Sequence, residues 1–325
     1  MSAKKPLLLA LVLLGLCTAL IAVLASGCTG GAPARKPAIP RAISQGPNQE
    51  PTLNVYVKET GQVKKMKLED YVAGTVAGEI DNFFPEEALA AQAILARTYV
   101  LNFIATKGHS KYPGAHISTD PTEAQAWNQA NVNDRIRRAV TRTRGQVLVH
   151  NGRFIEAWFH SHAGGMTATA REGLNWKKAE PPYITVVKSP DSPAAPPERA
   201  RWSTVLTKQE ITAALAKIGA PNPGAFNTIE ITERGPSGRA TRLRIGNATV
   251  PAAEFRVAIG PNKMKSTKIT SIRPAAGGVR IAGLGFGHGV GMSQWGAYQL
   301  AKDGRKARDI LNFYFRNVDI VKMWR

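Results

Sequence analysis

Between Leu7 and Ala25 the chain runs for nineteen residues without a charge, preceded by Lys4 and Lys5 and followed by Ser26-Gly27-Cys28. A stretch this apolar has no face to offer water. It either belongs to a processed secretory leader or lies in a bilayer, which it is about long enough to span at ~1.5 Å per residue. Whatever folds in water must therefore start downstream of it. Leu24-Ala25-Ser26-Gly27-Cys28 has the small residues of a lipoprotein processing site, with Ala25 where a larger aliphatic residue is usual. Cys28 is thus the expected point of lipidation, and an uncleaved transmembrane anchor is the alternative. Both outcomes leave the bulk of the chain outside the cytoplasm, attached to a membrane in the cell envelope.

The segment 29–52 carries Pro33, Pro37, Pro40, Pro47 and Pro51 with no hydrophobic period, and reads as an extended tether. This divides the 325 residues into a leader or anchor (1–28), a Pro-rich linker (29–52) and a folded part (53–325). Cys17 and Cys28 are the only cysteines, so the folded part has no disulfide, no thiolate zinc site and no cysteine nucleophile. Formal net charge is +20, and +18 without Lys4 and Lys5. A basic surface attracts polyanions. Outside a membrane those are wall polymers and lipid headgroups, and nucleic acid is not expected as a partner.

In the folded part, Leu53, Val55 and Val57 alternate as a half-buried strand does. Pro85 suits a first helical position, Glu86 and Glu87 complement the positive end of a helix, and Leu89, Ala93, Ala96, Val100 and Phe103 recur at helical spacing up to Gly108. The many alanines of that helix let another element approach closely. A second helix is predicted over 132–142, stopped by Gly145. Strands over 146–149 and 154–160 flank Asn151-Gly152, a hairpin signal. Thr207 to Glu210 has the form of a capping box, Gly219 closes the helix it opens, and further strands are expected at 229–231, 242–245 and 269–272. Helices over 293–303 and 306–314 end the chain. The expected class is α+β, one mixed domain of hairpin strands and packed helices behind its anchor.

Four segments place polar or glycine-rich groups where a plain core would not. Glu79 ends the apolar run Tyr71 to Gly78 just before a loop; a carboxyl in apolar surroundings keeps its proton to higher pH, as a general acid requires, although a solvated loop residue or a helix cap would look the same. Arg97 falls beside the apolar stripe of its helix and suits either a buried salt bridge or a substrate contact. Phe159-His160-Ser161-His162-Ala163-Gly164-Gly165-Met166-Thr167 puts two histidines on one strand face, where they could ligate a metal, but no third ligand stands at convincing spacing. Gly283, Gly285, Gly287, Gly289 and Gly291 alternate around His288. They leave one bare backbone face for a ligand or for close packing, and the spacing fits neither a phosphate loop nor a dinucleotide fingerprint.

Together these segments resemble the SpoIID/LytB family. The likeness runs through 71–100, 116–127, 152–187 and 283–318, and is most specific in Ala91-Gln92-Ala93 to Tyr99 and in Gly287-His288-Gly289-Val290-Gly291-Met292-Ser293-Gln294. It implies a lytic transglycosylase that cleaves peptidoglycan glycan strands, stripped of peptides, to 1,6-anhydro ends during sporulation, in the company of a cell-wall amidase and a membrane engulfment complex. It also implies Glu79 as the catalytic residue, and a cleft lined by Arg97, Tyr99, Gln125, His160, Ser161, Thr167, His288 and Gln294. The LytB branch includes amidase enhancers, so a glycan-binding partner without catalysis is the alternative, and a metal-dependent hydrolase built on His160, His162 and His288 is a third. Some members bind zinc through two cysteines and a histidine near the segment 116–120. Ser118 and Ala124 stand at the thiol positions here, so no metal and no other cofactor is expected.

Overall fold

The first strand, β1 (Thr52–Val57), buries the three residues that alternate in sequence, Leu53, Val55 and Val57. It pairs antiparallel with β2 (Gln62–Lys67), Leu53 opposite Met66, and parallel with the two-residue β3 (Ile117–Ser118). β2 is an edge strand and exposes Lys64, Lys65 and Lys67, charges that discourage pairing with another chain. The structure, a computed structural model, describes residues 35–325, and 36–325 form one unit. The expected leader and Cys28 lie outside the described residues.

β2 runs straight into α1 (Leu68–Glu79), a helix with no sequence signature. Gly74, Gly78, Thr75 and two valines are poor helix formers, and most of the residues are buried, so no polar face marks a period. Packing rather than propensity makes it helical. Next comes α2 (Glu86–Lys107), which starts after Pro85 and ends at Gly108, whose φ of 81° a side chain would resist. α2 is long and apolar enough to cross a membrane, but it is the buried core helix of the domain. Its alanines admit α1, the helix α3 (Asp134–Arg142) and the strand β4 (Gln146–His150).

β4 turns through Asn151 (φ 49°) and Gly152 (φ 73°) into β5 (Arg153–Phe154), the expected hairpin. The strand predicted to continue to His160 breaks after Phe154. A separate short strand, β6 (Phe159–His160), leaves the hairpin and pairs in parallel with β13 (Met292–Ser293), carrying its residues to the glycine-rich segment instead. Short helices α4 (Ala170–Leu174) and α5 (Pro197–Ala200) follow.

Residues 201–284 build a second core. β7 (Arg201–Thr207) leads into α6 (Lys208–Lys217) through the expected capping box, with both its hydrogen bonds present. A sheet of β8 (Glu230–Arg234), β9 (Ala240–Ile245) and β10 (Ala248–Pro251) precedes α7 (Ala252–Ile259). β11 (Ile269–Ala275) and β12 (Gly278–Leu284) then complete a sheet with β7. Trp202, Leu206, Ile211, Leu215, Leu243, Phe255 and Ile281 are buried together between these elements. The chain then returns to the first core through β13, α8 (Gln294–Lys302), α9 (Ala307–Tyr314) and β14 (Asp319–Lys322), which pairs with β4.

Part of the stretch expected as a tether belongs to this fold. Ile43 is fully buried and its carbonyl accepts the Thr52 N–H, while Glu50 pairs with Arg144 at 2.6 Å and accepts the Glu69 N–H at 2.9 Å. Ion pairing also settles the role of Arg97. Its guanidinium is fully buried and grips Glu69 of α1, with Nη2 to Oε2 at 2.6 Å, Nε to both carboxylate oxygens, and Nη1 donating to the Gln146 carbonyl at 2.9 Å. Glu69 Oε1 also accepts the Gly145 N–H at 2.9 Å and the Trp324 indole N–H at 3.0 Å. A buried pair satisfied this fully is costly to break from one side. Glu69→Ala is expected to cost ~3–5 kcal/mol, because it strands the arginine charge. Trp324→Phe, which removes one hydrogen bond and part of an aromatic surface, is expected to cost distinctly less. Denaturant midpoints of the two variants check the order, and equal losses would contradict it.

Candidate active site

Glu79 is the last residue of α1, and Ile80 leaves the helix in an extended conformation (φ −138°, ψ 143°), so the carboxyl stands where the helix stops and a cavity begins. The cavity encloses about 360 Å³. One wall is the turn Glu79 to Phe84, a second is Ala126, Trp127, Asn128 and Asn131, and the third is Ser161 after β6, Arg199 in α5, and Gln294 and Trp295 of α8.

Two glycines of α1 make this geometry. A Cβ on Gly78 would lie 2.6 Å from the backbone of Ala126 and Trp127, and one on Gly74 would lie 2.1 Å from the Trp127 indole nitrogen. The bare helix face therefore lets the segment 126–128 lie directly on it, with the Asn128 N–H bonded to the Gly74 carbonyl at 2.9 Å. That contact brings the Ala126 N–H to Glu79 Oε1 at 2.6 Å. From the other side Gln294 Nε2 donates to the Glu79 carbonyl oxygen at 3.0 Å, so the residue is held by both its side chain and its backbone.

Burial pushes the Glu79 carboxyl up to about 7, against the lowering effect of the Ala126 N–H. Near neutral pH the group is thus poised to give a proton and take one back. Asp81 lines the same cavity from an exposed position at its edge. Phe83, 56% exposed, lies beside Trp295 with ring centroids 6.5 Å apart, an aromatic surface turned to solvent at the cavity.

Of the residues that the family resemblance places in the cleft, Ser161 and Gln294 join Glu79 in lining this cavity. Arg97 does not; it is consumed by Glu69. Thr167 is fully buried, its hydroxyl donating to the Thr185 carbonyl at 3.1 Å and accepting the Val187 N–H at 2.8 Å, which makes it a loop clamp. Tyr99 bonds the Glu123 carbonyl at 3.4 Å, and its hydroxyl is pushed up to about 12 by burial and by the neighbouring Glu156, Glu123 and Glu79. Gln125 is buried next to the cavity wall, and its amide has no partner among the described residues.

The histidines pack the glycine-rich segment. His160 and His288 have ring centroids 5.8 Å apart. Burial, followed by nearby positive charge, holds His160 well below its ordinary value and lowers His288 to about 3, so both are neutral at physiological pH. His288 Nδ1 accepts the Val290 N–H, and the ring is also bonded to the Phe159 backbone. It borders a different cavity, with Arg256 and Val257. His162 Nδ1 accepts the Gly164 N–H at 3.0 Å and lies 3.3 Å from Asp191. Among the described residues no three His, Cys, Asp or Glu side chains are grouped to hold a metal ion. At the position of the family's zinc cysteines, the Ser118 hydroxyl donates to Glu123 at 2.5 Å, and His116 Nδ1 accepts the Asn54 N–H.

The alternating glycines serve packing. A Cβ on Gly287 would lie 2.6 Å from that of His160, and one on Gly289 would lie 2.4 Å from the Arg239 guanidinium. The backbone N–H groups of Gly285, Phe286 and Gly287 are bonded to Ala200, His162 and Lys265, so this face is not open to a ligand. Asp81, Asn82, Phe83, Trp127, Arg199 and Trp295 are among the lining residues that sequence reasoning did not single out. Phe83-Phe84 ahead of a helix-starting proline was the one local signal among them.

Residues 56–150 match the family model described as Stage II sporulation protein (SpoIID), and 186–291 match one described as a domain of unknown function (DUF8618). The chain is 34% identical over 260 residues to an uncharacterized protein of Brachyspira hyodysenteriae, covering 80% of this chain and 68% of that one. It is 30% identical over 287 residues to the stage II sporulation protein D of Bacillus subtilis, covering 83% and 78%. This chain belongs to the SpoIID family. The B. subtilis amidase enhancer is also similar, at 27% identity over 288 residues that span 39% of its length. In this SpoIID protein the first matched region holds α1, α2 and segment 126–128, which is where the family model and the Glu79 cavity coincide.

The raised Glu79 value has a measurable consequence for stability. Between its ordinary 4.5 and the folded value of about 7, the folded protein binds more protons than the unfolded chain. Stability therefore declines as pH rises through that window and stays reduced above it. Glu79→Gln removes this dependence and keeps an acceptor for the Ala126 N–H. The variant is expected to melt above the wild type at pH 8 and level with it at pH 4, and an equal offset at both pH values would contradict the raised value.

Proposed function

We propose that this protein is a lytic transglycosylase that cleaves the glycan strands of peptidoglycan, with Glu79 as acid and base in turn. The observation that carries the reading is the Glu79 carboxyl itself, buried at a helix end, fixed by the Ala126 N–H and pushed up to about 7 in a polar cavity. Phe83 supports it, since an exposed aromatic face suits the apolar face of a sugar ring.

In the proposed reaction the protonated Glu79 gives its proton to the glycosidic oxygen, and the bond from that oxygen to C1 of the muramic ring breaks with its electron pair leaving on the oxygen. The ring passes through an oxocarbenium-like state. The Glu79 carboxylate then takes the proton of the ring's own C6 hydroxyl, and O6 bonds to C1. The product is a 1,6-anhydro sugar, no water is consumed, and Glu79 ends protonated as it began. An intramolecular nucleophile held in line can supply ~7–11 kcal/mol of the barrier, which makes an activated water unnecessary. The neutral His160 and His288 have no part in the proton transfers.

Asp81 favours a second reading, hydrolysis by a carboxylate pair in which it activates water. The similarity to an amidase enhancer suggests a third, in which the cavity binds glycan for a partner amidase. One digestion separates them. Purified protein is incubated with peptide-stripped glycan strands, and the ends are read by mass spectrometry. Anhydro ends are expected, undiminished by chelator and by Asp81→Asn, and Glu79→Gln should reduce their rate by ~10²–10⁴ or more. More than a tenth of wild-type activity in Glu79→Gln would remove Glu79 as the acid. Reducing ends in place of anhydro ends, lost in Asp81→Asn, would establish hydrolysis. No cleavage combined with a faster amidase would establish the enhancer.

We further propose that the reaction takes place outside the cytoplasm on a membrane-anchored protein, with an amidase preparing its substrate. The basic composition suits a surface of anionic wall polymer and lipid. Cys28→Ser is expected to abolish lipid labelling and leave the full-length precursor; an unlabelled wild type of unchanged size would mean that 7–25 stays as a spanning helix.

A further inference from the structure

A second cavity, of about 660 Å³, lies where the ends of α4 and α6 meet the flank of α7. Leu174, Ile218, Ala253 and Val257 give it apolar walls, and it has no lining residue in common with the Glu79 cavity. Val257 is 65% exposed, more than any other large hydrophobic side chain among the described residues. Arg256 stands among these apolar groups.

Among the described residues three arginines are buried, Arg97, Arg239 and Arg256. Arg97 is paired with Glu69, and Arg239 is sealed from solvent with Nη2 donating to the Ala163 carbonyl at 2.7 Å. Arg256 differs from both. Its Nε donates to the Lys265 carbonyl at 3.1 Å, while Nη1 and Nη2 donate to no group among the described residues and keep solvent access. An exposed arginine without a partner is satisfied by bulk water. Here burial lowers the guanidinium to about 10, and no carboxylate offsets it. Glu254, in the same cavity, accepts from the Asn175 amide and lies 3.9 Å from Lys177, whereas the exposed Lys217 adds a second cation to the wall. A guanidinium held by Nε alone presents its other edge as a planar fork matched to a carboxylate. The end of α6 adds a second requirement. Pro221 has no N–H to give the Lys217 carbonyl, and neither that carbonyl nor the Ile218 carbonyl accepts a hydrogen bond among the described residues. Such acceptors suit peptide N–H groups, which an acyl chain lacks. The ligand these groups fit is the C-terminus of a short peptide with small apolar side chains.

We propose that this cavity binds the C-terminal end of a peptidoglycan stem peptide, its carboxylate on the Arg256 fork and its alanine methyl groups against the apolar walls. The choice of a wall peptide rests on the proposed action at peptidoglycan, while the site itself does not depend on Glu79. The strand in the Glu79 cavity is read as stripped of peptides, so the peptide comes from a neighbouring strand. The protein then holds the wall at two places, by glycan in one cavity and by a peptide end in the other.

The test titrates the full-length protein with diacetyl-Lys-D-Ala-D-Ala by calorimetry at fixed ionic strength. Three relatives of the peptide are titrated beside it: its C-terminal amide, the Gly-Gly analogue and the L-Ala-L-Ala analogue. The free acid is expected to bind about tenfold or more tighter than the amide, which cannot pair with the guanidinium. It should bind about fourfold or more tighter than the glycine peptide, which lacks the methyl groups. Arg256→Gln should bring the ratio of acid to amide to within about twofold of one. Val257→Asp changes an exposed side chain and sets a negative charge on the wall, so it should remove most of the same preference even if Arg256→Gln fails to fold. Equal binding of acid and amide by the wild type, or an unchanged ratio in Val257→Asp, would overturn the site. Equal or tighter binding of the L-alanine peptide would overturn the wall source and assign the cavity to a protein C-terminus. None of these peptides has a glycosidic bond, so such results leave Glu79 untouched. Absent anhydro ends with the peptide preference intact would count against Glu79 alone.

Discussion

The buried pair of Glu69 and Arg97 organises everything around it. α1 carries the carboxylate and α2 the guanidinium, the guanidinium is fully buried and the carboxylate nearly so, and the two helices therefore pack in the register that lets a two-toothed contact form. The remaining valences of the pair are then filled by backbone at the entry to β4 and by the indole near the end of the chain. Because α1 is fixed at its first turn in this way, its last turn arrives at a defined place, and the last residue of that turn is Glu79.

The site depends on what α1 lacks as much as on what it carries. Gly74 and Gly78 sit one turn apart and leave a groove in the helix surface where segment 126–128 is seated, and the amide that reaches Glu79 comes from that segment. Alanine at either position would meet atoms within 2.6 Å and lift the amide away. Gln294 ties the same residue to α8, which stands after the second core in sequence, so the cavity joins chain segments more than two hundred residues apart. The glycines at 283–291 act one step further out. They let the histidines and Arg239 approach the backbone closely enough to hold the third wall together.

Much of the architecture was legible in the sequence wherever a local rule acts alone. α2, the Asn151-Gly152 turn, the Thr207 capping box and the last two helices stand where proline, glycine and capping residues put them. α1 was not legible, because a helix buried on all sides has neither an amphipathic period nor a polar cap to announce it. Glu79 was legible as an acid in an apolar run and lies in the cavity. Thr167 and His288 carry polar groups in family-specific segments, yet their bonds go to neighbouring backbone. Sequence specificity marks both kinds of residue alike and does not separate a group that meets a ligand from one that shapes the wall behind it.

Trp324 is the penultimate residue, and its indole completes the shell around Glu69. Glu50, which braces Arg144 and the start of α1, comes from the other end of the described chain. Both segments therefore bear on one residue, Trp324 on the Glu69 carboxylate and Glu50 on the Glu69 backbone N–H. Removing either segment would then slacken α1 from its first turn, and a change far from the cavity would register at Glu79 without touching it.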